Sequence, residues 1–215
     1  MNNKVKFFGF FLIVFLFGLL IFKSWGEPIS ELEKSKFNEI SIVEFNSITN
    51  TSWKNNKNDN SSSEISFYID GLKDTKGFFK DFDIIFKVSD IPEKSKIKVS
   101  IPVESINTDN ELRDETLMGE EFFNSEKFPV IEFHSKDILK SKSKYKAIGE
   151  MNMMGINSDF SFLFDFNGIT KNKNNQNVAI FEGEFTIDRT DFGMINVATV
   201  GDEVKIRFYC ELIKF

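Results

Sequence analysis

The chain has 215 residues, room for one domain of ordinary size plus appendages, and a formal net charge of −6. Its Lys residues are scattered among Asp and Glu, which excludes the clustered cationic surface that nucleic-acid recognition needs. The aromatic load is carried by one side-chain type, 27 Phe against 2 Trp and 3 Tyr, and so demands a large apolar interior to fill or to line.

At the N-terminus, Lys4 and Lys6 precede an unbroken apolar or glycine run from Phe7 to Phe22, closed by Lys23. This is a membrane-directed segment, and its positive flank places the N-terminus in the cytoplasm and the body outside it. The run would rise about 24 Å as a helix, short of the roughly 30 Å hydrocarbon core, as in a signal peptide. Yet no small-x-small cleavage site follows, and Trp25 suits an interfacial anchor. Residues 1–26 are therefore expected to be a signal anchor or a signal peptide of an exported, periplasmic protein tethered to the inner membrane. Residues 27–62 read as a polar stalk: Glu31 to Asn38 is charged, and Asn55 to Ser63 contains no apolar residue. Only Ile40 to Phe45 could form a strand there. The folded domain is expected to span residues 63–215 and to fold without the stalk.

From Glu64 onward the apolar residues recur with period two, as a sheet with one apolar face requires. Ile65, Phe67 and Ile69 come first; Phe78, Phe82, Ile84, Phe86 and Val88 share the next parity, with Lys80 the exception. Ile97 to Val103, Ile131 and Phe133, Tyr145 to Met153, Phe160 to Phe166, Phe181 to Ile187 and Val204 to Leu212 follow. About eight antiparallel strands with short turns predict a closed barrel, which leaves no open edge. Residues 107–124 break the pattern; there Asn110 can cap a short helix carrying Leu112, Leu117 and Met118, with Gly119 limiting it. Cys210, the single cysteine, cannot form an internal disulfide and reads as a small buried thiol.

No catalytic or metal constellation can be written. His134 is the only histidine, lies on a different strand pattern from Cys210, and alternates with Phe133, so it faces outward. Glu104, Asp109, Glu111, Asp114 and Glu115 fall in a charged loop and helix, where solvated and capping roles are the default. The chain is expected not to be an enzyme and to carry no cofactor or metal.

Val103 to Thr108 with Asn110, Arg113, Asp114 and Leu117, then EFFNSEKFPVIEFHS over 121–135, IDRTDFGM over 187–194 and the Val-Gly-Asp-x-Val of 200–204, together resemble the YceI-like family in motif and order. The resemblance covers residues 64–215. Two departures stand out: Ser62 and Ser63 occupy the place of a His-Ser pair, and Gly155 to Phe160 keeps a Gly turn without its Lys-Pro. The resemblance implies a lipocalin-like barrel, all-β with one short helix, that holds a polyisoprenoid, a quinone or another fatty amphiphile. The residues then expected to line the lumen are Phe67, Ile69, Phe82, Ile84, Phe86, Val99, Ile101, Phe133, Met151, Phe160, Phe162, Phe164, Phe185, Ile206 and Phe208. Arg113, Asp114, Arg189 and Asp191 are expected to form a structural charge cluster at one barrel end, with Gly193 in its turn. Two readings of the Phe rows stay open, a lined lumen or a filled barrel serving as an interaction or structural module at the cell envelope. The partners expected are a lipid and the membrane, with no nucleic acid; a homodimer is compatible with the sequence.

Overall fold

The alternating rows fold as one closed antiparallel sheet in the computed structural model, which describes residues 40–56, 63–72 and 74–215. The expected membrane segment at 1–26, and the parts of the expected stalk at 27–39 and 57–62, lie outside the described residues. Among the described residues no helix is long and apolar enough to cross a membrane.

The strands are β1 (Thr51–Asn55), β2 (Glu64–Gly71), β3 (Thr75–Phe79), β4 (Asp83–Val88), β5 (Lys96–Pro102), β6 (Ile106–Asn107), β7 (Val130–Ser141), β8 (Lys144–Met153), β9 (Ile156–Lys171), β10 (Asn177–Asp188) and β11 (Val200–Lys214). One α-helix, α1 (Glu111–Met118), joins β6 to β7. From β7 to β11 each strand is a plain antiparallel neighbour of the next. The earlier strands come in pairs that share one place in the ring. β11 meets β2 along Val200–Tyr209 and β1 along Leu212–Lys214. Likewise β3 lies against β2 and β4 against β1, while β6 lies against β3 and β5 against β4. The ring therefore has eight positions, the count the alternation predicts, and β5 to β7 closes it. Closure pairs most of the strand edges, which leaves little exposed template for association; among the described residues β6 is paired on one side only, and β9 and β10 part beyond Phe164 and Gly183.

One parity expectation changes. Phe79, not Phe78, turns inward with Gly77, because the break at Lys80–Phe82 between β3 and β4 resets the pleat. A bulge between Ser135 and Asp137 does the same in β7, so that Phe133 and the fully buried Ile138 both face the core although their numbers differ in parity.

The boundary at 63 is also corrected. Trp53 on β1 is 1% exposed, and its backbone pairs with Phe86 on one side and Lys214 on the other. Before it, a short 3-10 turn, Phe45–Ile48, buries both of its apolar residues. Phe45 stacks on Tyr145 with ring centroids 4.3 Å apart and meets Phe166 edge-on at 5.8 Å. The expected strand at Ile40–Phe45 is only a single bridge, Ser41 to Ile169. The residues that read as stalk thus supply one barrel strand and the plug of one barrel end. Polar composition hid them, since one Trp, one Phe and one Ile spread over nine positions show no period.

Candidate functional site

Above the plug, the barrel interior is packed and then opens. Phe86 lies 5.3 Å from Phe181 and 6.1 Å from Phe164, ring centroid to centroid, and these three with Phe45 form a dense aromatic floor. The next layer is looser: Phe162 meets Phe133 and Phe185 at 5.2 Å and Phe208 at 5.7 Å, and three of these four rings, Phe162, Phe185 and Phe208, are only half-buried. A cavity of about 280 Å³ extends from this floor to the opposite end of the barrel. Its wall is almost wholly aliphatic and aromatic, the type of lining that accepts a hydrocarbon without leaving polar groups unpaired.

Of the expected lining residues, all except Phe82 and Phe160 line this cavity. Phe82 is buried in the β3–β4 break, where its carbonyl accepts a hydrogen bond from Asn55 Nδ2 at 2.7 Å. Phe160 shares the parity of its row but packs behind it, 5.1 Å from Phe185 and 6.4 Å from Phe133. The expectation missed the mouth. Leu117 of α1, then Phe122 and Phe123 of the loop after it, cover the open end, and Phe123 meets Phe79 at 6.4 Å. No strand period marks these residues; the apolar pair Phe122–Phe123 inside an acidic loop was the available signal.

Polar side chains enter the lining at the mouth, where the expected charge cluster is rearranged. Arg113 donates from Nε to Thr108 Oγ1 at 2.8 Å and from Nη2 to the Thr108 carbonyl at 2.7 Å. Asp114 does not pair with it: its carboxylate accepts from the Thr108 amide at 2.9 Å and hydroxyl at 2.6 Å. Adjacent residues on a helix point in different directions, so the Arg-Asp sequence pair becomes two hands on one threonine. Asn110 caps α1 as expected, its Oδ1 accepting from the Arg113 amide at 3.0 Å. Arg189 is 2% exposed and binds the carbonyls of Gly201 at 3.0 Å and Ile195, together with Asp202 at 2.8 Å. Its ion partner is therefore Asp202 rather than the expected Asp191, which is exposed in the turn Arg189–Phe192. Gly193 closes that turn at φ 85°, a left-handed conformation that favours glycine.

The residues that could do chemistry are kept apart or disabled. His134 is exposed on the outer wall, 3.6 Å from Glu132. Cys210 reaches the cavity, but burial pushes its thiol far above the ordinary range, so the thiol and not the thiolate is present. Among the described residues no group of three or more His, Cys, Asp and Glu is placed to hold a metal.

Comparison with known proteins places this geometry in context. Residues 57–212 match the model of the YceI-like domain. A UPF0312 protein of Staphylococcus aureus is 35% identical over 118 residues, 53% of this chain and 66% of that protein, so the match spans just under two thirds of the relative. Among solved structures, a Campylobacter jejuni YceI protein is 27% identical with a TM-score of 0.59, covering 66% of this chain and 85% of that one. BcnA of Burkholderia cenocepacia has the same fold at 22% identity and a TM-score of 0.60, over 70% of this chain and 95% of its own. A polyisoprenoid binding domain from Saccharophagus degradans shares the fold at 10% identity, with a TM-score of 0.53 over 76% of this chain and 97% of that one.

Proposed function

The chain belongs to the YceI-like domain family, and from that membership and the cavity we propose that it is a non-enzymatic carrier that holds a long-chain isoprenoid or similar amphiphilic lipid inside its barrel. The observation that carries this reading is the cavity itself: about 280 Å³ of apolar space, plugged at one end by Phe45 and Ile48 and bounded at the other by α1 and its loop. A filled barrel has no use for such a space, because an unoccupied core cavity costs stability in proportion to its volume. Water gains little there, for a wall that is apolar below the mouth leaves a buried water with few partners. A linear hydrocarbon gains about 0.8 kcal/mol per methylene it buries. The protonated Cys210 thiol and the outward-facing His134 favour holding over turnover. The proposed place of action is outside the cytoplasm, with residues 1–26 as the tether; the cationic flank and apolar run of that segment support it.

The test is organic extraction of the purified full chain followed by mass spectrometry. A stoichiometric isoprenoid or fatty lipid is the expected result, and extracts without lipid from protein of native fold would return the reading to a filled envelope module.

A further inference from the structure

The charges at the cavity mouth are not equivalent. Three ionisable side chains of fixed charge reach the lining: Glu132, Arg189 and Arg113. Glu132 is neutralised on the outer wall by Lys98 at 3.6 Å, with His134 also at 3.6 Å. Arg189 is saturated by backbone carbonyls and by the Asp202 carboxylate. Arg113 differs from both. Among the described residues its guanidinium finds only the hydroxyl and carbonyl of Thr108 as acceptors, both neutral, and no carboxylate pairs with it. The carboxylate nearest in sequence, Asp114, is turned onto Thr108 instead. Thr108 is itself buried, so it fixes the guanidinium while leaving the N–H groups of Nη1 without an acceptor among the described residues.

A half-buried guanidinium without a counter-charge is costly beside an apolar wall unless something supplies one. We propose that Arg113 is the anion-recognition residue of the cavity, and that the bound lipid carries a phosphate or carboxylate headgroup which sits at the mouth against α1 while its chain lies in the barrel. The inference rests on the lipid-carrier reading and narrows it to acidic amphiphiles. A planar guanidinium presents parallel donors to the two oxygens of such a group, and hydrogen bonds between ions are about twice as strong as neutral ones. Uncharged polyprenols and hydrocarbons of the same length would fill the same space without that contact.

The test equilibrates the full chain in mild detergent with an equimolar mixture of a polyprenyl phosphate and the polyprenol of the same length, re-isolates it, and quantifies both by mass spectrometry. Wild type should retain the phosphate over the alcohol by about tenfold or more, as expected for one charge-assisted hydrogen-bonded contact. Arg113→Gln should hold the two equally, and Arg113→Lys should keep part of the preference. Equal retention by wild type, or an undiminished preference in Arg113→Gln, overturns the inference while leaving the carrier reading intact. Retention of neither lipid by wild type removes both. If Arg113→Gln fails to fold, Thr108→Val, which frees the guanidinium without removing it, should lower the preference, and an unchanged ratio there counts against the proposal. Inorganic phosphate is the last arm: stabilisation of lipid-free wild type by phosphate alone would make this a free-anion site and overturn the headgroup assignment.

Discussion

At the scale of single residues, the two arginines of the family motifs divide into structural and recognition roles by their partners. Arg189 is buried with a carboxylate and several carbonyls, so its removal takes the donor from the Ile195 and Gly201 carbonyls and leaves Asp202 with Asn196 and solvent. Arg189→Ala should therefore lose about 2–4 kcal/mol, mostly from the carbonyls left without a donor, read as a lower urea midpoint at unchanged slope. Cys210 offers a second check. Its folded-state pKa lies above the unfolded value because burial penalises the thiolate, so the proton is bound more tightly when folded. The corresponding stability is complete below the unfolded thiol pKa and declines as pH rises above it. Native protein should thus resist thiol-labelling reagents at neutral pH and become both labelled and less stable in alkali above about pH 9; rapid stoichiometric labelling at pH 7 would contradict the burial of Cys210.

At the scale of elements, the decisive segment is Phe45–Asn55, which looks dispensable in sequence and is not. β1 bridges β4 and β11, and without it the lower half of the ring opens and exposes the edges of both strands. The plug before it covers Tyr145, Phe86 and Phe166. A chain cut to residues 64–215 should therefore aggregate or unfold at low urea, whereas a chain beginning at residue 40 should unfold cooperatively. Phe45→Ala should cost about 3–5 kcal/mol, the range for truncating a buried aromatic ring. Equal urea midpoints for the two truncations would show that the plug contributes nothing.

At the scale of the molecule, the barrel has two layers of different tolerance. Phe164, 2% exposed among Phe86, Phe181 and Tyr145, belongs to the solid floor, so a charge there should unfold the protein and say nothing about binding. Ile206 is half-buried in the open layer of the cavity wall. Ile206→Glu should abolish lipid retention while the lipid-stripped variant keeps a melting temperature within a few degrees of stripped wild type, because water can follow the charge into an open lumen. Retained lipid, or outright unfolding of the stripped variant, would place Ile206 in a filled core.

The sequence by itself determined the strand count, the inward face of most strands, the capped helix and the apolar character of the interior, since each is a local pattern: period two, an Asn three residues before the amide it caps, a density of Phe. It did not determine which alternating Phe would meet across the barrel as floor and which would stand apart as wall, because that depends on ring diameter and on what plugs the end. Nor could it assign the ion partners at the mouth. Arg189 pairs with Asp202 across a loop that begins with the turn ended by Gly193, and Arg113 finds only Thr108 among the described residues. Both outcomes follow from the direction in which the folded backbone aims each side chain, a property that neighbouring letters in a sequence do not carry.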